Sequence, residues 1–428
     1  MRKAPFAAAA LLAILAASAD RAWAGEPPAP ASSCTTHCHG LESTAYAQGV
    51  HARAFACTEC HGGDASAERD KDRSHDPAKG FTGKVGREKI PQLCGGCHAD
   101  AVKMAPYGLP TDQLAHYKTS NHGKAFFDMG DTTVAVCTDC HGAHDILTPR
   151  DPRARTAGVH QPETCGKCHS DPARMGPHGI GTDAVERFKA GVHGKALLEE
   201  RTRGAPSCSD CHGSHGAAPP GVRDVAQVCG KCHGNTEEQY VKSAHQRAGD
   251  QMSCRACHAK EKGSQYDRGG CASCHDPHAT AHPDEGMLRG NEVGHCGHCH
   301  RQADAAVEGF EAALAGGTTR LVETMKATRQ RLAHAKESSL FLKGEETYLR
   351  EAERTLVSVR PLAHSLDRAA VESHLTGGVK SLEAGVEMIE KETTALRDRK
   401  IAISAMVFVL LLLGALFVVK LDAARRLS

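Results

Sequence analysis

The sequence predicts a chain in three parts. A mostly irregular, short-helix domain with little side-chain core comes first, then an all-α hairpin or bundle, then one C-terminal transmembrane helix. Three observations carry this. All 20 cysteines fall between Cys34 and Cys299, and none lies beyond residue 300. Aromatic residues make up only 4% of the 428 residues, while Gly (43) and Pro (19) are frequent. The first region is therefore short of the large side chains that usually fill a core. Finally, Ile401–Val419 is an uninterrupted uncharged run. A formal charge of +1 gives no imbalance of the kind that binds nucleic acid or another polyion.

Residues 1–24 open with Arg2-Lys3, continue through an apolar stretch and reach Ala22-Trp23-Ala24. That order of charged start, apolar middle and small-x-small site reads as a secretory signal peptide, cleaved after Ala24 or alternatively Ala19. The only tryptophan goes with it. At the other end, 401–419 spans about 28 Å as a helix, close to the thickness of a bilayer core. Basic residues flank both sides of this span (Arg397, Arg399, Lys400; Lys420, Arg425, Arg426), so they do not orient it. Export of the N-terminus does. The expected placement is an inner-membrane anchor, with the large domain in the periplasm and residues 420–428 as a cytoplasmic tail.

Between these ends lies a repeated pattern of cysteine and histidine. There are nine Cys-x-x-Cys-His motifs. The first five are Cys57, Cys60 and His61; Cys94, Cys97 and His98; Cys137, Cys140 and His141; Cys165, Cys168 and His169; and Cys208, Cys211 and His212. The other four are Cys229, Cys232 and His233; Cys254, Cys257 and His258; Cys271, Cys274 and His275; and Cys296, Cys299 and His300. A tenth, made of Cys34, Cys38 and His39, has one extra residue between its cysteines. Structural zinc uses Cys-x-x-Cys but needs a further pair of ligands at finger spacing, and disulfides need no histidine after the second cysteine. Haem c attachment needs both: two thiols for the porphyrin vinyls and a neighbouring histidine below the iron. For Cys34–His39 a disulfide or unattached pair stays open beside haem, and His37 reads as a spacer.

Low-spin haem iron takes a second axial ligand. Thirteen histidines of the cysteine region stand outside the motifs: His51, His75, His116, His122, His144, His160, His178, His193, His215, His245, His278, His282 and His295. A shift of 71 carries His122 to His193 and Cys137 to Cys208, with looser copies at His51 and His245. These four histidines head four two-motif units, read as Cys57–Cys232 plus Cys254–Cys274, with 34–39 and 296–300 as end additions. His144, His215 and His278 each lie three residues past a motif histidine. That is too close for the same iron, so each should reach a neighbouring one. These seven are the candidate distal ligands. Met104 and Met175 also recur in register but read as packing against ring edges. Residues 34–300 leave each of ten haems about 27 residues, so stacked porphyrins should form most of the core.

After residue 300, apolar residues recur at helical spacing: Val307, Phe310, Leu314; Leu321, Met325, Leu332; Leu349, Leu356; Val379, Leu382, Val386, Ile389. Gly316-Gly317, Gly344 and Gly377-Gly378 offer breaks. The expected division is a multihaem domain over 25–300, a helical membrane-proximal domain over 301–400, and the span at 401–419.

The segment "SNHGKAFFDMGDTTVAVCTDCHGAHD", followed by "ETCGKCH", resembles the doubled-CXXCH multihaem cytochromes c of anaerobic and metal- or nitrogen-respiring bacteria, over roughly 45–300. The resemblance implies a distal-ligand role for the histidine of the "HGKA" segment, hence for His122 and His193, and in looser form for His51 and His245. The tail with "RPLAHSLD" is similar to that of membrane-anchored relatives and singles out His364. The longer first motif departs from the pattern. The implied role is an electron carrier: a membrane-anchored decahaem-like cytochrome passing electrons from a quinol-oxidising membrane subunit to a periplasmic cytochrome or reductase, or to outer-membrane acceptors. The alternative is a multihaem oxidoreductase acting on nitrite, hydroxylamine or sulfur oxyanions at one open haem. Such nitrite reductases carry lysine for the motif histidine, which no motif here does. The hydroxylamine enzymes need a crosslinking tyrosine, and no motif places Tyr46, Tyr107, Tyr117, Tyr240, Tyr266 or Tyr348.

Overall fold

The structure, a computed structural model, describes residues 33–220, 225–248, 270–282, 286–290, 295–300, 304–337 and 345–427. Residues 1–24, Tyr266, and the motif of Cys254, Cys257 and His258 lie outside them. The described residues are about 70% helical and include no strand. The chain divides into two compact units: Met1–Pro220 with Pro277–Ala281, and Gly221–Asp276 with His282–Ser428.

The first unit is built of helices mostly four to nine residues long. Among the described residues, its cluster of buried apolar side chains holds Ile90, Phe126 and Val136, with Val85, Phe127, Val134, Cys94 and Cys137 against it. Two helical pairs repeat. Gln113–Thr119 (α1) precedes Asn121–Met129 (α2), and Ala184–Ala190 (α3) precedes Val192–Leu198 (α4). Ser120 separates α1 from α2. Fully buried, it takes an extended backbone, accepts from the Gly123 amide at 2.9 Å and donates to the Tyr117 carbonyl at 2.6 Å. Its side chain thereby ends one helix and caps the next.

The second unit contains Gly234–Lys242 (α5), Gly317–Glu337 (α6), Glu345–Ala363 (α7) and Arg368–Leu427 (α8). Leu321, Met325, Thr328, Leu332 and Ala335 are buried on α6, and Leu349, Ala352 and Val359 on α7; Val371, Leu375, Val379, Leu382 and Ile389 are buried on α8. Steps of three, four and seven residues give the 3.5-residue period of coiled-coil packing. Cross-helix pairs fix the directions. Lys336–Glu346 and Arg329–Glu353 make α6 and α7 antiparallel; Ser358–His374 and Glu351–Ser381 do the same for α7 and α8, and Arg320–Glu383 with Arg331–Glu390 sets α6 parallel to α8. These exposed pairs set register more than stability. Below the bundle, α8 becomes apolar, with a mean hydropathy of 2.9 and nothing buried across its 18-residue window. It is the one described helix long and apolar enough to cross a membrane.

Candidate functional site: paired histidines at the cysteine motifs

The described motifs lie in or at the end of short helical segments, from the nine-residue helices Ile90–His98 and Gln161–His169 to single turns. Cys137–His141 and Cys208–His212 show how a single turn starts. The Asp139 carboxylate accepts from the Val136 amide at 2.8 Å, and Asp210 accepts from the Ser207 amide at 2.7 Å. Each thereby fills an orphan position at the helix start. A turn of helix brings the two thiols and the histidine of a motif to one side. Neighbouring motifs also come together: Cys94 lies beside Cys137, Cys165 beside Cys208, and Cys229 beside Cys271. In the first two cases the second motif of one unit meets the first motif of the next; in the third, Cys229 meets Cys271, which sequence order makes the second motif of its unit. On this geometry Cys271–His275 takes the place that Cys137–His141 and Cys208–His212 hold.

These three contacts join first cysteines only; the second cysteine of a motif is placed differently. Cys38, Cys60, Cys211, Cys232 and Cys274 are exposed, and Cys97, Cys140 and Cys168 are half-buried. Cys168 Sγ accepts from Arg174 Nη1 at 3.3 Å. The described cysteines form no disulfide, so the structure does not take up the disulfide left open for Cys34 and Cys38. The structure leaves Cys257, with Cys254 and His258, to the sequence motif alone.

Arg87 braces Cys137–His141. It donates to both oxygens of Asp139, at 3.0 and 2.8 Å, and to the carbonyls of Thr132 and Val134 at 2.9 and 2.7 Å. Burial pushes the Asp139 carboxyl up, but Arg87 and the Val136 amide outweigh it and hold it below the usual range. A depressed carboxylate contributes stability above its unfolded pKa and loses it as pH falls through its folded pKa. R87M is therefore expected to cost about 1–2 kcal/mol near neutral pH. Variant and parent should converge in acid, which thermal melts across a pH series would check.

The histidines show a regular spacing. In the first unit, ring centres lie 6.0 Å apart for His39–His75, 6.1 Å for His51–His98, 6.1 Å for His61–His144, and 6.1 Å for His122–His169. His141–His215 and His212–His278 are each at 5.9 Å. In the second unit, His245–His300 and His275–His364 are each at 6.1 Å. Every pair joins one motif histidine to one outside the motifs. A metal–nitrogen bond of about 2 Å on each side, with ~1.1 Å more to each ring centre, places two imidazoles about 6 Å apart across one iron. Ordinary aromatic contacts range over 4.5–7 Å, as with Phe126–Phe127 at 4.9 Å. Eight mixed pairs within 0.2 Å of one value do not arise from such contacts.

Hydrogen bonding sorts the two ring nitrogens. His61 Nδ1 lies 2.8 Å from Gly83 O, His300 Nδ1 2.9 Å from Asp304 Oδ2, and His364 Nδ1 2.9 Å from Arg360 O. Donation from Nδ1 leaves Nε2 as the lone-pair nitrogen, the arrangement that orients a ligating imidazole. Histidines outside these pairs do the reverse. Nε2 is the engaged atom in His116 (Asp112, 3.2 Å), His160 (Pro152 O, 3.0 Å) and His374 (Ser358 Oγ, 2.7 Å). Burial, chiefly, lowers the pKa of His51, His98, His122, His169, His215, His245 and His275, and pushes that of His141 down to about 4. These rings are neutral at pH 7, the state that binds a metal.

Residues 201–238 match the doubled CXXCH motif. The match covers Cys208–His212 and Cys229–His233 and fits a multihaem cytochrome c. No curated protein and no solved structure matches the chain. The CXXCH motifs indicate covalent binding of haem c, and the paired imidazoles supply a donor set that fits it.

Of the distal candidates, His51, His122, His144, His215, His245 and His278 each face a motif histidine. His193 holds in α4 the place of His122 in α2. The repeat did not single out His75, which faces His39. It follows a helix capped by Asp70 and has no copy elsewhere, so no register points to it. Tyr46 donates to the His51 and Phe55 carbonyls at 3.0 and 2.6 Å, and Tyr117 to the Ala135 carbonyl at 2.8 Å. Burial raises both hydroxyls to about 12; they tie backbone together.

Proposed function

We propose that this chain is a membrane-anchored, periplasmic decahaem c-type cytochrome that relays electrons between a quinol-linked donor and periplasmic or outer-membrane acceptors. The observation that carries this reading is the uniform 5.9–6.1 Å spacing of motif and non-motif imidazoles. Bound haem supplies one-electron chemistry at iron; two axial imidazoles make it a transfer centre rather than an open reaction site. The residues of this chain do the rest. The motif cysteines fix each ring covalently, the motif histidines ligate from one side, and His51, His75, His122, His144, His193, His215, His245 and His278 ligate from the other. The thiol contacts Cys94–Cys137, Cys165–Cys208 and Cys229–Cys271 draw the attachment edges of successive haems together. Support for counting Cys34–His39 as a haem site comes from His75, which faces His39 as the other distal histidines face theirs. The haem at Cys254 and Cys257 rests on its motif.

The quinol-oxidising site belongs to a partner subunit. A lone apolar helix has no walls for a quinone pocket, and the corner at which α8 begins stands well away from the apolar segment. From Arg368 to Ile401 the helix runs about 50 Å at ~1.5 Å per residue.

The test is carbon monoxide added to the dithionite-reduced, detergent-solubilised protein, alongside a pyridine haemochrome count. Ten haems per chain and no stoichiometric carbonyl band are expected. A full equivalent of bound carbon monoxide would replace the carrier with an enzyme that keeps one iron open.

A further inference from the structure

The corner between α7 and α8 is built from three local features. Pro361 sits in the last turn of α7, Leu366 takes a left-handed φ of 55°, and the Asp367 carboxylate caps α8 by accepting from the Ala370 amide at 3.0 Å. Proline ends the helix, the left-handed residue turns the chain, and the cap starts the next helix. His364 is held at the apex. Its Nδ1 donates to Arg360 O at 2.9 Å, and its ring centre lies 6.1 Å from that of His275, with the planes at 33°. His374, further along α8, has its Nε2 tied to Ser358 at 2.7 Å and is paired with no motif histidine among the described residues.

The repeat shows why a ligand should come from here. His61, His141 and His212 are faced by His144, His215 and His278. Each of these lies three residues beyond a motif histidine further along the chain. For His275 the series runs out, because the residue three past His300 is Ala303.

We infer that His364 is the second axial ligand of the haem attached at Cys271 and Cys274, so that the membrane-proximal bundle completes a redox centre of the cytochrome region. This rests on the bis-imidazole reading proposed above. Its consequence is mechanical as well as electronic. The bundle is bolted to a haem through iron, and that haem is held at the far end of the bundle from the apolar span.

The test uses the full, haem-loaded chain in detergent. His364→Ala is expected to keep all covalent haems, lose one low-spin ferric resonance, and bind one carbon monoxide per chain when reduced, with added imidazole restoring the low-spin signal. His364→Met, which keeps a ligand in the corner, should stay six-coordinate and gain one methionine-to-iron charge-transfer band. His374→Ala should match the parent protein. If His364→Ala binds no carbon monoxide and His364→Met shows no new band, the assignment is overturned. His122→Ala separates the two levels: an open haem there with none in His364→Ala sinks only His364, whereas no open haem in either variant sinks the bis-imidazole reading too.

Discussion

Replacing His215 by methionine is expected to raise the reduction potential of one haem by ~0.1 V, a fraction of the roughly 0.8 V that axial ligation commands. His215 stands 5.9 Å from His141 with the two ring planes 11° from parallel. Thioether is a poorer donor to ferric iron than imidazole, so Met/His ligation favours the reduced state. Burial lowers the pKa of both rings, which favours the neutral imidazole that ligates a metal. A spectroelectrochemical titration would resolve the change as about one-tenth of the haem absorbance moving to higher potential. No displaced fraction would mean that His215 does not ligate the iron above His141. Because Cys94 lies beside Cys137, the shifted centre should also slow electron passage between the haems of those two motifs, visible in stopped-flow oxidation as a retarded phase.

How much of this was legible in the sequence depends on which residues repeat. The motifs are written in consecutive residues and need no fold to be read. Which of their thiols meet is another matter: Cys94 touches a neighbouring motif and Cys97 does not take part in that contact, a difference the spacing does not hold. His144, His215 and His278 were legible as a class, because the +3 spacing forbids their own iron, yet their partners became definite only in three dimensions. His75 and His364 have no copies elsewhere, so periodicity could not weigh them against His116 or His160; resemblance alone singled out His364. What sets His364 apart from His116 and His160 is which ring nitrogen is hydrogen-bonded, a property of the folded neighbourhood. The bundle was legible in Leu321, Met325, Leu332, Leu382 and Ile389 because coiled-coil packing is periodic. Its buried Thr328 and Thr355 were not, since each satisfies its hydroxyl on a carbonyl four residues back, at 2.8 and 3.0 Å. The grouping of units illustrates the same limit: sequence order sets Cys254 beside Cys271, whereas the thiol contact joins Cys271 to Cys229.

The second large effect concerns a residue that carries no chemistry. Gly123→Val is expected to destabilise the first unit by about 1–3 kcal/mol and to leave one haem partly high-spin. Gly123 is buried in the first turn of α2, directly after His122. A Cβ there would overlap the carbonyl oxygen of Tyr117 and crowd the Cα of Lys118. Those are backbone atoms of α1, so no side chain can swing aside. The obstruction recurs at Gly194, where a Cβ would overlap the Phe188 carbonyl. The Gly of the "HGKA" segment thus lets two helices cross at backbone contact, and that crossing sets how far His122 advances toward His169, 6.1 Å away. A metal–nitrogen bond of about 2 Å tolerates little retreat, so a shift of α2 by even half an ångström should lengthen or break the bond while leaving the thioethers intact. The expected signature is an unchanged haem count with a carbon monoxide-binding fraction below one per chain. Gly176→Ala, where an added Cβ meets nothing within 4 Å, should leave spectrum and melting temperature unaltered. Equal behaviour of the two variants would show that the close crossing does not position the ligand.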